Sequence, residues 1–368
     1  MDPVWAVGFM TGTSVDAVDA AMILTNGTEI FEFGPVAEVP YSDEDRAAIH
    51  AAVQAARDWN WQGSPPDEAF APAKEIAVAR HGAALEKLLS DWNGPPPVVA
   101  GVHGQTVLHR RATREQKGAT LQIIDAPAMR EALGLPLAYD FRSADVAAGG
   151  QGAPLASPYH KALLLKSGLE RTAAQNLGGV ANITVLDGDG GLIAFDCGPA
   201  NGPIDEWITR HGRGKQDTSG ALAAAGKADE ARLADILTKP YFCEPPPKSL
   251  DRYDFSARLA DGLSLVDGAA TLTELCGRSV ALGVRLLDEP IERLILCGGG
   301  RHNPTLVDAI RRATPCDVQL AEEVGWRGDS IEAEAFALLA VCALRGLPFS
   351  FPSTTGVPEP MTGGRILA

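Results

Sequence analysis

Positive charge is scarce in this chain. Its 32 lysine and arginine residues stand against 47 aspartate and glutamate residues, for a net charge of −15. Nucleic-acid partners require a basic patch or stripe, so this balance argues against one. An anionic nucleotide would be repelled by the global field and would need local backbone donors or a metal ion. Paired cysteines are also lacking. Cys197, Cys243, Cys276, Cys297, Cys316 and Cys342 are scattered through the second half with no C-x-x-C among them. That pattern points away from a metal cluster and toward reduced thiols in the cytoplasm. No apolar run reaches bilayer length, which excludes a membrane span. The N-terminus has Asp2 and Pro3 and no basic region, so no signal peptide is expected. What is left is a soluble, cytoplasmic globular protein. Its 368 residues, 45% of them hydrophobic, suffice for about two domains with packed cores.

The chain opens on two apolar runs, Val4 to Phe9 and Val18 to Leu24, joined by a hydroxyl-rich turn. Both runs read as buried strands. In the turn Gly12 permits close backbone approach, Thr13 and Ser14 add hydroxyls, and Asp16 and Asp19 supply acids that can hold a cation. Such a turn can cradle a polyphosphate while a carboxylate orients Mg²⁺. The same residues are also ordinary turn formers. A half-exposed strand, Glu29 to Phe33, follows and is expected to stop at Gly34-Pro35. Helices are expected from Asp43 to Trp61 and from Phe70 to Trp92. Val98 to Val102 then reads as a short buried strand leading into His103-Gly104-Gln105-Thr106. Leu121 to Asp125 and Leu137 to Phe141 read as further strands around an Ala126–Leu133 helix. This pattern is that of an α/β domain with a mixed sheet.

Ala147 to Pro154 is rich in glycine and forms a plausible junction, which puts one domain at residues 1–150 and a second at 151–368. The second repeats the opening of the first: Thr172 to Leu186 is again strand, small turn, strand, and Leu192 to Asp196 adds a third. After a helix-rich insertion comes the strand Arg293 to Cys297. Two halves that open alike are a weak internal duplication, and two lobes of this kind would face a ligand cleft.

Several stretches can carry chemistry. Asn176-Leu177-Gly178-Gly179 suits a second phosphate cradle and equally a plain turn. Gly298-Gly299-Gly300 leaves open backbone for a flat ligand such as a nucleoside, with Asn303 capping the next helix and Pro304 at its first position. Asp196 ends a buried strand before Gly198-Pro199, where desolvation can make a carboxylate a better base for water, or where it can simply accept turn N–H bonds. Arg142 offers a fork for a carboxylate, or a surface ion pair with Asp140 or Asp145. His103 and Gln105 can hydrogen-bond a sugar. Glu332 lies three residues after Asp329, so it reads as a capping-box glutamate or as an acid that positions metal or water.

Assembled, these segments resemble the anhydro-N-acetylmuramic acid kinase family nearly end to end. The resemblance is carried by Met10-Thr11-Gly12-Thr13-Ser14-Val15-Asp16, Val102 to Thr106, Ala138 to Arg142, and Asp145 to Leu155. It continues with Asn176 to Gly179, Phe195 to Asn201, Pro245-Pro246-Pro247-Lys248-Ser249, and Cys297 to Pro304. It implies an actin-like sugar-kinase fold, with two lobes built on duplicated ribonuclease-H-like cores and a cleft between them. It also implies a role in bacterial peptidoglycan recycling, in which water opens the 1,6-anhydro ring and the released O6 takes the γ-phosphate of ATP.

By the same resemblance Gly12, Thr13, Ser14, Val15, Asp16, Ala17, Val18 and Asp19 would bind ATP, joined by Asn176, Gly178, Gly179, Gly298, Gly299, Gly300 and Asn303. Asp16 would hold Mg²⁺. Asp196 would be the base for water with Glu332 in support, and His103, Gln105, Thr106, Arg142 and Asp145 would receive the sugar. The partners implied are the amino sugar and ATP, and a homodimer is compatible with them. Three departures stand out: Ala17 replaces a common Gly, so that position must avoid positive φ, and Cys197 and Ala200 replace Thr and Gly. The first of these two removes a hydroxyl from beside Asp196. Other readings keep the fold with another sugar or anhydro-sugar acceptor, or make the chain a nucleotide-dependent interaction protein of the actin type.

Overall fold

A computed structural model describes residues 1–12, 15–112, 116–251 and 254–368. β1 (Val4–Met10) and β2 (Ala17–Thr25) form the opening antiparallel pair, with β1 buried from Trp5 to Phe9. β3 (Ile30–Pro40) continues the meander and does not stop at Gly34-Pro35. Its register passes from Ile23↔Phe33 to Ala21↔Val36, so Gly34 and Pro35 together face Met22 as a bulge. β3 is the sheet edge, where the missing N–H of a proline breaks no central ladder.

α1 (Asp43–Trp59) starts at a capping box made by Ser42 and Asp45, and α2 (Asp67–Leu89) follows. β4 (Ala100–Val102) lies parallel to β1. β5 (Gln105–Arg110) and β6 (Ala119–Ile123) pair with each other in a separate two-stranded sheet, so the strand expected at 121–125 lies earlier and outside the main sheet. α3 (Ala126–Leu133) leads to β7 (Leu137–Tyr139), parallel to β4, and α4 (Ser143–Ala147) and α5 (Ser157–Ser167) come next.

The second set is β8 (Thr172–Leu177), β9 (Val180–Leu186) and β10 (Leu192–Pro199), again an antiparallel meander. α6 (Asn201–Arg210), α7 (Ala221–Ala225) and α8 (Glu230–Leu237) precede the long α9 (Leu265–Arg285). β11 (Arg293–Cys297) runs parallel to β8. After α10 (Pro304–Ala313), β12 (Asp317–Leu320) runs parallel to β11. Five strands of the first sheet therefore read β3-β2-β1-β4-β7, and the five of the second read β10-β9-β8-β11-β12. In each, the second strand alone opposes the others. That is the ribonuclease-H-like order, present twice.

α11 (Ile331–Arg345) and β13 (Arg365–Leu367) close the chain. β13 pairs with β7 at the edge of the first sheet. α11 lies on β1 and β4 through two glycines: a Cβ on Gly8 would fall 2.0 Å from the carbonyl oxygen of Ala333, and one on Gly101 would fall 2.1 Å from that of Phe336. Only residues without side chains admit a helix backbone this close. Compactness accordingly groups residues 1–166 with 330–368, and residues 167–329 by themselves. This division differs from a boundary at 150 and gives α5, α11 and β13 to the first unit. Among the described residues, no helix is long and apolar enough to cross a membrane.

Candidate active site

In the second unit Asp196 sits on β10 opposite Asn182, and only 4% of it is exposed. The register jumps between Asp196 and Gly198, leaving Cys197 as the extra residue of a bulge. The bulge presses on α9, where small residues make room: a Cβ on Gly283 would meet the Cys197 Sγ at 2.3 Å. The Cys197 thiol is pushed up to about 12 by burial and by the charge of Asp196, so it stays protonated and points its S–H at Gln175 Oε1, 3.6 Å away. Cys197 therefore packs in the core, and the change from Thr costs no hydroxyl aimed at a ligand. Ala200 has φ −126°, so its replacement of Gly does not force a side chain into the positive-φ region.

Asp196 is held through its main chain and its carboxylate alike. Its N–H donates to the Lys248 carbonyl at 2.9 Å, its carbonyl accepts from the Tyr241 hydroxyl at 2.7 Å, and its Oδ2 accepts from the Leu250 N–H at 2.8 Å. The motifs Phe195 to Asn201 and Pro245 to Ser249, far apart in sequence, are thus one local structure.

The glycine turns of this unit meet one another. Gly178 and Gly179 form the β8–β9 turn, and their carbonyls accept from the N–H groups of Ala200, Asn201 and Gly202 at the start of α6. Gly298 has φ +75°, and a Cβ there would meet Asn176 Oδ1 at 2.3 Å; one on Gly300 would meet the Leu177 Cβ at 2.7 Å. Gly299 has nothing within 4 Å of such an atom. Of the three consecutive glycines, two are explained by packing and one leaves open backbone. Asn303 caps α10, accepting from the Leu306 N–H at 3.1 Å, with Pro304 at the first position. Nothing in the sequence distinguishes Arg301 from its neighbours in the Cys297–Pro304 motif. It is 3% exposed, pairs with Glu322 at 2.7 Å and Asp329 at 2.8 Å, and donates to the Gly298 carbonyl at 3.0 Å, so it braces the glycine loop.

In the first unit the β1–β2 turn is described at Gly12, Val15 and Asp16, while Thr13 and Ser14 lie outside the described residues. Val15 has φ +56°, a costly conformation for a β-branched side chain and one found mostly at functional turns. Its N–H donates to the Gly12 carbonyl at 3.1 Å. Val15 and Val18 bury their side chains in the core, which leaves only their backbone for a ligand. Asp16 is exposed, Asp19 is half-buried, and Ala17 starts β2 in extended form outside the positive-φ residues.

Arg142 and His103 are brought together at the ends of β7 and β4. Arg142 Nε donates to His103 Nε2 at 2.9 Å, and its Nη1 donates to the Gly152 carbonyl. Gly152 N–H in turn donates to Asp145 Oδ1 at 2.7 Å. Burial first, and the Arg142 charge second, hold His103 well below its ordinary pKa. Asp145 is 1% exposed, and its Oδ2 has no hydrogen-bond partner; nor has the buried Oε1 of Gln105. Thr106 Oγ1 accepts from Gln122 at 3.2 Å. Asp140 pairs with Arg365 at 3.2 Å. Orphaned buried acceptors beside a fixed guanidinium are what a hydroxyl-bearing ligand would satisfy. His109, on β5, has a buried Nε2 without a partner and joins this group unforeseen.

Glu332 lies half-buried in the first turn of α11. It does not close a capping box on Asp329: Ser330 is the cap, without a side-chain bond, and the Asp329 carboxylate goes to Arg301 and His302. Its neighbour Glu334 is fully buried and accepts from the Tyr159 hydroxyl.

Comparison with known proteins places these residues in context. Residues 4–368 match the family model for anhydro-N-acetylmuramic acid kinase. A protein of that name from Rhizobium rhizogenes is 50% identical over 100% of both chains. One from Brucella anthropi is 48% identical over 100% of both, and one from Caulobacter vibrioides is 49% identical over 98% of both.

Proposed function

The chain belongs to the anhydro-N-acetylmuramic acid kinase family, and from that premise we propose that it opens the 1,6-anhydro ring of the sugar with water and phosphorylates the oxygen set free. It is an ATP-dependent sugar kinase of peptidoglycan recycling. Asp196 takes a proton from water, and the hydroxide oxygen forms a bond to C1. The C1–O6 bond breaks, and O6 attacks the γ-phosphorus of ATP as ADP departs. The products are N-acetylmuramic acid 6-phosphate and ADP. The observation that carries this reading is the buried Asp196 carboxylate, held by the Leu250 N–H at 2.8 Å beside the bulge of β10. A base fixed in one orientation loses little entropy on reaching its geometry with water.

The second unit would receive ATP at Gly178–Gly179 and at the open backbone of Gly299, with Asn176 and Asn303 in support. The first would contribute the turn from Gly12 to Asp19. No group of three or more His, Cys, Asp or Glu that could hold a metal occurs among the described residues. Mg²⁺ does not require one, since it binds through one or two carboxylates and the phosphates of its nucleotide. Exposed Asp16 fits that role, and the ion would neutralise charge on the transferring phosphoryl group. Arg142 would take the lactyl carboxylate of the sugar, Asp145 and Gln105 would accept from its hydroxyl and amide groups, and Glu332 would help to orient the water. The two compact units would serve as the two lobes of the kinase.

The test is coupled ADP release with anhydro-N-acetylmuramic acid in ¹⁸O-water. Label at C1 of the product is expected. Phosphorylated product without label at C1 would mean direct transfer to a hydroxyl and would overturn ring hydrolysis.

A further inference from the structure

The segment Pro245 to Ser249 takes no part in the reaction just described, yet it is folded against the acid. Residues 241–250 act as a strap: Tyr241 bonds the Asp196 carbonyl at 2.7 Å, Lys248 the N–H at 2.9 Å, and Leu250 the carboxylate at 2.8 Å. Lys248 closes the strap on itself. Its ammonium donates to the Tyr241 carbonyl at 2.8 Å and lies 4.5 Å from the centre of the Tyr241 ring and 5.8 Å from that of Phe195. These contacts enclose a side chain only 2% exposed. An ammonium is a costly way to fill such a space, because its desolvation opposes folding where an apolar chain of equal length would not. The ring faces return part of that cost. What the charge adds is a directed bond that fixes Tyr241, and a positive field beside the carboxylate.

We propose that Lys248, acting with Tyr241, is a positioning residue for Asp196. The ammonium locks Tyr241, the Tyr241 hydroxyl and the Lys248 carbonyl fix the Asp196 main chain, and the Leu250 N–H holds the carboxylate in the orientation that proton removal from water needs. This rests on the reading of Asp196 as the base. The ionisable groups that act on Lys248 include the Asp196 and Glu244 carboxylates, which favour its charged form against its burial, and the thiols of Cys197 and Cys243. By reciprocity the Lys248 charge favours ionised Asp196.

The experiment uses the full chain and three variants, Tyr241→Phe, Lys248→Met and Asp196→Asn. Each is assayed for sugar-dependent ADP release across pH, for ATP affinity by calorimetry, and for its thermal midpoint. Tyr241→Phe keeps the ring and loses one hydrogen bond; kcat should fall about tenfold with both KM values nearly unchanged. Lys248→Met should lower kcat by about 100-fold and move the acid limb of the kcat profile to higher pH. A role in packing alone would lower the thermal midpoint and leave kcat and the acid limb of the folded protein where they were. If Tyr241→Phe and Lys248→Met both turn over at the parent rate while Asp196→Asn is inactive, the strap positions nothing and the proposal fails. If Asp196→Asn itself turns over at the parent rate, the base assignment fails first. Should Lys248→Met not fold, Tyr241→Phe decides alone.

Discussion

Arg142 determines where His103 keeps its proton. A guanidinium can only donate, so the 2.9 Å bond makes His103 Nε2 the acceptor, and the proton resides on Nδ1, which faces the Gly104 carbonyl at 2.6 Å. The imidazole is thereby neutral and oriented, suited to hold Arg142 toward a ligand rather than to supply a proton. Burial neutralises His81 and His160 as well, lowering each from 6.5 to about 4. The consequence for stability has a definite sign. Between those values the unfolded chain binds more protons than the folded one, so the contribution is complete above pH 6.5 and is lost as pH falls toward 4. His81 is the cleaner case, with Nδ1 donating to the Ala77 carbonyl at 2.7 Å and its ring against Phe9. In urea unfolding at a series of pH values, His81→Leu should lose about 3 kcal/mol less than the parent between pH 6.5 and 4. Parallel curves for the two proteins would show that His81 titrates freely in the folded state.

At the scale of elements, the decisive packing is α11 on the first sheet. Helix backbone rests where Gly8 and Gly101 present none but hydrogen, with Ala333 O and Phe336 O at 2.0 and 2.1 Å from the Cβ each glycine lacks. Neither oxygen can retreat without breaking the helix. Gly101→Ala should therefore cost more than about 3 kcal/mol in denaturant unfolding, at the upper end for a single substitution. Gly82→Ala, within α2 and with only the Ala132 Cβ at 4.0 Å, should be neutral or stabilising. Equal effects would mean that α11 moves aside.

The same elements show what a sequence can disclose. β1 and β8 were legible because strands buried on both faces are written as continuous apolar runs, and the α10 cap because Asn-Pro specifies it locally. The extension of β3 past Gly34-Pro35 was not legible, since it depends on a bulge opposite Met22 and on an edge position. β13 is three residues, two of them exposed, whose only reason for being a strand is β7, far off in the chain. In the site, Asp196 was legible as an acid on a buried strand before Gly198-Pro199, although β10 runs on past it to Pro199 instead of ending there. Lys248 and Tyr241 did not, because their part depends on a fold-back of residues 241–250 onto β10. The glycines of residues 298–300 looked like one ligand feature, yet two of them answer to Asn176 and Leu177.

For the whole molecule, the two units repeat one strand order but are unequal in how the chain builds them. The second is continuous, residues 167–329, with α9 and α10 covering its sheet from within the same stretch. The first needs residues from both ends of the chain: its sheet lies under α11 and is extended at one edge by β13, both drawn from residues 330–368. A fragment of residues 167–329 should therefore unfold cooperatively in urea by itself. A fragment of residues 1–166 should not, because the β1 and β4 surface that α11 buries would be left to water, and exposed apolar faces of that kind lead to loose or associating states. Joining residues 330–368 to 1–166 through a flexible linker should restore a cooperative transition. The critical comparison is between the two forms of the first unit. A cooperative transition in 1–166 without the C-terminal segment would show that α11 is an accessory to this core. Its absence, with recovery on adding residues 330–368, would show that the first unit cannot complete its core until the rest of the chain has been made. On the kinase reading it would then follow that Glu332 takes its place only when that core closes, so that the full set of reacting groups exists only in the finished protein.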